Sequence, residues 1–340
     1  MIITPGIWLF PYIPCWITTG RLKNFGFFIL SSGIEGDSQQ KLRSVAGQFQ
    51  RELVLIDMGD LRRRFPYQVD TGGFDISAMG RLFLGTFLPE EVERVLYLDC
   101  DTVVVDSLEP LWQTPLEGNL LGAVMEPTIY PAVKQSLGLT EREPYYNSGV
   151  LLIDVKAWRL EAVEQKLLDF YGSLGGKTFA CDQDTLNGAL RGRIRTLDPR
   201  YNFFTNFRYF RYGGLVGQSP SYGEITREKF QRAKRHPAVL HFAGDERPWK
   251  SGNLNHYRKI YDNYLELTPW RHTPKEDGSR LYLFLYHMMD YMTWLCPPVR
   301  RPSAEDLGCG WSKDGRTPKN KKVIRFWDFP GVVTQNLYFR

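Results

Sequence analysis

Short apolar runs closed by polar turn residues recur along the first two thirds of the chain. Phe25 to Leu30 is followed by Ser31-Ser32-Gly33, and Leu53 to Ile56 is followed by Asp57. Runs of this length, bounded in this way, predict buried strands that end in loops. Between them, Asp37 to Gln50 is polar except for Leu42, Val45 and Phe49 at helical spacing. The order strand, helix, strand implies parallel strands joined by a crossover helix. Ile76 to Leu88 predicts a second helix. It leads into Val92 to Leu98, where Val95-Leu96-Tyr97-Leu98 reads as a strand covered on both faces. Further strands are expected at Leu120 to Met125, Gly149 to Ile153 and Ala238 to Phe242, with a helix over Trp158 to Tyr171.

The pattern therefore predicts an α/β fold: a single domain over residues 1–265, with a mostly parallel sheet and helices on both faces. From about Trp270 the pattern changes. Leu281 to Leu295 is aromatic-rich and helical in spacing, and Cys296 to Arg325 is dense in Arg, Lys, Pro and Gly. Residues 266–340 are expected to form a small basic and aromatic appendage.

With 340 residues and 43% apolar content, the chain can bury a sizeable core and is not of the disordered class. A net charge of +5 is modest at this length and points to no nucleic-acid partner. Cys15, Cys100, Cys181, Cys296 and Cys309 are odd in number and lack paired metal-ligand spacing, which favours reduced thiols in a cytoplasmic setting. Pro5 to Thr19 is apolar but interrupted by three prolines and not preceded by Lys or Arg, so it fits neither a leader peptide nor a spanning helix.

Chemistry concentrates at the ends of the predicted strands, where ligands gather in open α/β sheets. Asp99-Cys100-Asp101 follows the apolar strand at once, and two carboxylates so placed can share a hard cation such as Mn²⁺ or Mg²⁺. Turn-forming aspartates at a strand end are the plainer alternative. His241 closes Val239-Leu240-His241 and runs into Phe242-Ala243-Gly244, so an imidazole could join the two carboxylates around Mn²⁺, or simply be a satisfied core residue. Past Gly244, Arg247 and Lys250 suit a diphosphate. Asp182-Gln183-Asp184 opens a predicted helix, either as an N-terminal capping cluster or as a site, and Asn147-Ser148-Gly149 precedes a strand as a turn or a site.

Taken in order, these segments resemble glycosyltransferase family 8, the lipopolysaccharide galactosyl- and glucosyltransferase-like enzymes. The pieces that carry the resemblance are Arg81-Leu82-Phe83-Leu84, Val95 to Asp101 with Leu108-Glu109-Pro110-Leu111-Trp112, Tyr146 to Leu152, Cys181 to Asn187, Leu197 to Asn202, and His241 to Trp249, covering roughly residues 25–260. The resemblance implies a Rossmann-like nucleotide-binding domain of the GT-A type and a retaining transferase that uses a UDP-sugar and Mn²⁺, with Mg²⁺ as the other candidate. It implies a glycan or glycolipid acceptor. In the C-terminal region, Arg300-Arg301 and Lys319 to Lys322 beside Trp294, Phe326 and Trp327 would suit a peripheral contact with the anionic inner face of a membrane, or form a solvated basic surface. Residue by residue, Asp99, Asp101 and His241 match the metal ligands. Arg81, Asp99, Asn147, Ser148, Gly244 and Arg247 match donor-binding positions, and Asp182 and Gln183 match the pair beside the anomeric carbon. Arg247 stands where the family usually has Lys.

Two rival readings stay open. A metal-dependent phosphohydrolase could use the same Asp-x-Asp, and an inactive nucleotide-sugar-binding module could result from an altered N-terminus. The family normally opens with a strand ending in Asp-Asp-Asn-Tyr-Ala, which residues 1–20 lack. Read in the frame that joins the last base of each codon to the next two, however, Met1-Ile2 gives Asp, and the next three junctions permit Asn, Tyr and Ala. Cys15-Trp16 must then give Leu, and Trp16-Ile17 must give Asp. Residues 1–20 are therefore expected to be a frame-shifted translation of the missing strand. The terminal Asn336-Leu337-Tyr338-Phe339 resembles part of a protease-site tag and is set aside.

Overall fold

The computed structural model describes residues 2–3, 26–244 and 247–295. Of residues 1–20 only Ile2 and Ile3 are included. The remainder of that stretch, Asp245 and Glu246 of the loop after Gly244, and the basic clusters and tag-like end past residue 295 lie outside the described residues.

Strands β1 (Ile2–Ile3), β2 (Gly26–Ser31) and β3 (Glu52–Asp57) are parallel, with β2 central. Helix α1 (Gly36–Gln48) makes the crossover from β2 to β3 and turns Leu42, Val45 and Ala46 inward, as its spacing requires. A four-stranded sheet follows in the order β4 (Arg94–Leu98), β7 (Tyr146–Asp154), β6 (Leu121–Met125), β8 (Ile194–Thr196). Here β7 runs antiparallel to both neighbours and β8 parallel to β6, so the sheet is mixed at this point. Strand β7 begins earlier than its apolar run, because the side chains of Asn147 and Ser148 find buried hydrogen-bond partners and can enter the sheet.

A third, small sheet carries β5 (Thr102–Val104), β10 (Val239–His241) and β9 (Phe203–Phe204), in that order. Its register sets His241 opposite Thr102 on one side and Phe204 on the other, which brings the end of β10 beside Asp101. Ile29, Leu30, Val104, Leu152, Ile153, Leu240 and Phe242 are all but fully buried between the sheets and helices. Each such side chain contributes ~1.5–3 kcal/mol by leaving water.

Two predicted helices are segmented. Ile76 to Leu88 forms a 3₁₀ helix over Ile76–Phe83 and one α turn over Leu84–Phe87. Trp158 to Tyr171 is divided between a helix at Val155–Leu160 and α2 (Val163–Ser173), separated where Ala162 takes a φ of 49°. Helix α3 (Cys181–Ala189) packs against α2 and β7. The described part of the C-terminal region packs on this body: Trp270 joins the core, Lys250 pairs with Glu276, and helix α4 (Arg280–Leu295) lies against residues 205–209. No helix among the described residues is long and apolar enough to cross a membrane.

Candidate active site

The Asp99-Cys100-Asp101 turn is clamped from both sides. The Asp99 N–H donates to the Gly149 carbonyl of β7 (2.7 Å), and the Phe242 N–H past β10 donates to the Asp101 carbonyl (2.8 Å). Thr102 holds the turn closed with its hydroxyl on the Asp99 carbonyl (2.7 Å). The chain thus leaves extended geometry right after β4, and the ligand atoms of Asp99, Asp101 and His241 all lie within 4.8 Å of one another. His241 Nε2 stands 3.2 Å from Asp101 Oδ1.

The orientation of His241 is built in. Gly149 and Asn202 Nδ2 both donate to Asn147 Oδ1 (2.8 Å each), which leaves Asn202 Oδ1 to accept from His241 Nδ1 at 2.7 Å. That puts a proton on Nδ1 and turns Nε2 toward the two carboxylates. Gly149 is also sterically required, since a Cβ there would meet His241 Cε1 at 2.4 Å. Two carboxylates and an imidazole held by a second polar layer are a donor set that fits Mn²⁺ or Mg²⁺. Burial alone would lower the His241 pKa, but Asp101 and then Asp99 outweigh it and hold it above the usual histidine value. Burial opposes ionisation of Asp101, yet His241 and Arg247 keep its pKa below the ordinary carboxylate value.

Arg81 links this corner to a second one. Its 3₁₀ helix is capped by Asp75, which accepts from the Ser77 N–H (2.8 Å), and Arg81 itself is only 5% exposed. The guanidinium reaches Asp99 at 2.8 Å, Asp182 at 3.1 Å, the Ser148 carbonyl at 2.6 Å and the Ser148 hydroxyl at 2.9 Å, over the face of Tyr97. The Tyr97 hydroxyl donates to Asp99 at 2.7 Å. A buried cation between two carboxylates tolerates desolvation only because its donors are so fully used.

In the second corner, Asp182 and Gln183 occupy the first turn of α3, after Cys181 at a φ of 44°. Their neighbour Asp184 accepts from the Ala180 N–H (2.7 Å) and from the Tyr145 hydroxyl (2.5 Å). Asp182 accepts from the Ser148 hydroxyl (2.9 Å), and burial raises its pKa to about 6 against the pull of Arg81. Gln183 Oε1 accepts from Asn147 Nδ2 (2.7 Å) and the Ser148 N–H (3.1 Å). Its amide nitrogen donates to Glu126 (3.0 Å) and to Tyr145 (3.1 Å).

Gly244 takes a φ of 75°, and Arg247 folds back to donate to its carbonyl (2.9 Å). The Arg247 side chain lies over Trp249, near enough to Asp101 to favour its ionised form. The sequence-derived residues therefore converge in one region. Sequence reasoning missed Glu126, which accepts from both Asn147 Nδ2 and Gln183 Nε2 at 3.0 Å, and gave Asn202 no role. Glu126 follows the apolar run of β6 as Asp99 follows that of β4, so the same strand-end rule could have found it.

Comparison with known proteins decides the family. The model of the glycosyl transferase family 8 domain matches residues 17–252, well over half of the chain. The chain belongs to glycosyl transferase family 8. It is a glycosyltransferase of GT-A fold, similar to the galactosyltransferase LgtC solved with donor and acceptor sugar analogues. The TM-score with LgtC is 0.65 at 24% identity, covering 79% of this chain and 96% of that one. Among sequence relatives, General stress protein A of Bacillus subtilis is 26% identical over 246 residues, 72% of this chain and 82% of its own length. The lipopolysaccharide 1,2-glucosyltransferase of Escherichia coli is 24% identical over 275 residues, 79% of this chain and 76% of the relative. The lipopolysaccharide 1,3-galactosyltransferase of Salmonella typhimurium is 22% identical over 258 residues, 74% and 71% respectively. The family 8 glycosyltransferases related to this chain thus include hexosyltransferases.

Proposed function

We propose that this chain is a retaining hexosyltransferase that moves galactose or glucose from a UDP-sugar to a hydroxyl of a glycan or lipopolysaccharide-type acceptor, with Mn²⁺ or Mg²⁺ bound by Asp99, Asp101 and His241. The observation that carries this reading is the bridge made by Arg81, which joins Asp99 of the metal-ligating triad to Asp182 of the amide-rich corner. A phosphohydrolase would need the first corner and has no use for the second.

When bound, the metal supplies Lewis-acid stabilisation of the charge that grows on the departing diphosphate. Arg247 adds a fixed positive field beside it, and the Gly244 turn lets backbone approach the phosphates. Asn147 and Ser148 bind the donor sugar from the start of β7, kept in place by Gln183 and Asp182. Asp182, once ionised, opposes the positive charge that develops at the anomeric carbon, while Arg81 holds it in position. Gln183 fixes the sugar's orientation through the network that ends on His241.

A screen of UDP-sugars with Mn²⁺, following UDP release, tests the proposal. Release coupled to glycosylation of an added acceptor is expected. Phosphate released without sugar transfer would favour the phosphohydrolase, and donor binding without turnover the inactive module. Residues 1–20 enter the same proposal as a shifted-frame remnant of a nucleotide-binding strand. Sequencing the 5′ end of the gene checks this, since codons that cannot spell Asp-Asp-Asn-Tyr-Ala in the shifted frame would end the idea.

A further inference from the structure

The small sheet of β5, β10 and β9 has a second end, which the chemistry proposed above leaves unused. There Val105 and Asp106, past β5, and His236 and Pro237, before β10, help to line a cavity of about 490 Å³. The run from Asp101 to Asp106 carries the chain roughly 15 Å at extended spacing. No residue of the candidate active site lines the cavity. Its rim is held by backbone bonds: the Val105 and Asp106 N–H groups both donate to the Ala238 carbonyl (2.8 and 3.3 Å), and the Ala238 N–H donates to the Arg200 carbonyl (2.8 Å). A rim fixed in this way needs little ordering when a ligand enters.

The lining carries charge of one sign. Arg208, Lys234 and Arg235 contribute to it with His236 and His256, and its one carboxylate, Asp106, is taken up by Arg200 from outside the lining. Arg232 nearby likewise has Asp198 as its partner. Among the described residues Arg208, Lys234 and Arg235 form no ion pair, and the Lys234 ammonium has only the Phe210 carbonyl to donate to, at 3.0 Å. Burial, and then Arg208, hold the pKa of both Lys234 and His256 below the ordinary values, as cations crowded without an anion require. Lys234 and Arg235 end the helix Arg227–Arg235, where cations offset the carbonyl end of the dipole. That account leaves out Arg208 and His256, which reach the cavity from other segments. Between the cations the wall is apolar, with Val105, Ile260 and the ring of Tyr257, which His256 meets edge-on at 5.0 Å. The Tyr257 hydroxyl is buried beside the Arg208 guanidinium, which can only donate, and its own proton meets no acceptor among the described residues.

We propose that this cavity is a second anion site, separate from the metal-ligating triad, which takes a soluble phosphomonoester with a small organic body, a sugar phosphate or a nucleoside monophosphate. Arg208, Lys234 and Arg235 hold the phosphate, and the wall of Val105, Tyr257 and Ile260 covers the body. Three fixed cations match the two charges and three oxygens of a phosphomonoester better than the single charge of a carboxylate. The volume exceeds what a bare ion fills and lies in the range of small-molecule sites. A phosphate drawn to Arg208 also brings an acceptor to the neighbouring Tyr257 hydroxyl. The site stands on these residues alone and does not depend on the glycosyltransferase chemistry.

The test is calorimetric titration of the full chain with glucose 6-phosphate, AMP and inorganic phosphate, with glucose and adenosine as uncharged controls. Saturating UDP and Mn²⁺ are present, so that the catalytic cleft is occupied. Saturable binding of at least one phosphomonoester is expected, tighter than that of inorganic phosphate and weakened by salt, with none of its uncharged control. Arg235→Glu, an exposed change in the cavity wall, should weaken that binding about tenfold or more, and Arg208→Gln should do the same. Arg235→Glu should also keep wild-type UDP release. Asp101→Ala, titrated without UDP, should bind the phosphomonoester as the wild type does, which separates failure of the cavity from failure of the metal-assisted reading. Four results would overturn the proposal: no saturable binding of either phosphomonoester, inorganic phosphate binding as tightly as both, wild-type affinity in both arginine variants, or binding lost in Asp101→Ala, which would place the phosphate at the triad.

Discussion

The two corners joined by Arg81 solve opposite electrostatic problems. In the first, Asp99 and Asp101 keep side-chain exposures of 21% and 17%, and Asp101 is held in its ionised form by His241 and Arg247. In the second, Asp182 is 6% exposed, its pKa rises to about 6, and amides and hydroxyls link it to Glu126 and Asp184. A cation needs anions that are already charged. A sugar needs neutral hydrogen-bond partners and a carboxylate whose charge counts most where water is excluded. Under the proposed function, a single buried arginine divides the cleft into a metal-holding half and a sugar-holding half.

The strongest blow to this division should come from Asp101→Ala. Losing one anionic ligand removes metal-assisted donor binding, and kcat/KM should fall by about a thousandfold or more, read from UDP release. Donor affinity that responds to metal as in the wild type would refute the ligand assignment. Asp182→Asn should act in the other half. It should lower kcat by roughly a hundredfold to a thousandfold with little change in donor affinity, a split that calorimetry and kinetics together resolve. If the substitution lowers only the melting temperature, Asp182 is structural.

Asn202→Leu should show that the halves are coupled through amides as well as through Arg81. Without Asn202 Oδ1 the His241 ring loses its fixed orientation, and metal affinity should drop by about ten- to a hundredfold. Retained affinity would leave Asn202 as packing alone. The smallest effect expected is in the pH profile. Asp182 must be ionised to act, and burial has raised its pKa to about 6, so kcat should hold above that value and decline as pH falls through it. In the profile of Asp182→Asn that acid limb should be missing, and an unchanged limb would assign the titration to another group.

Much of this was legible in the chain because strand ends in α/β sheets are marked by where apolar runs stop. That rule exposed Asp99, Asp101 and His241, and the order of segments exposed Arg81, Asn147, Ser148, Asp182 and Gln183. It could not show how the two would divide their partners, Asp182 taking Arg81 and Ser148 and Asp184 taking Ala180 and Tyr145, because both carboxylates suit the first turn of a helix equally well. Asn202 escaped for a related reason. Its role exists only after β9 and β10 pair and set it between Asn147 and His241. Helix α4 was correctly expected as a helix, but periodicity identifies an apolar stripe without saying which way it faces, and here it faces outward.

The most direct test of the account is the affinity for UDP-galactose and UDP-glucose measured by calorimetry with Mn²⁺ present and again with a chelator. If Asp99, Asp101 and His241 hold the metal on the donor's diphosphate, the chelator should weaken binding of at least one donor by about tenfold or more. Equal affinity in the two conditions, for a donor that demonstrably binds, would contradict it.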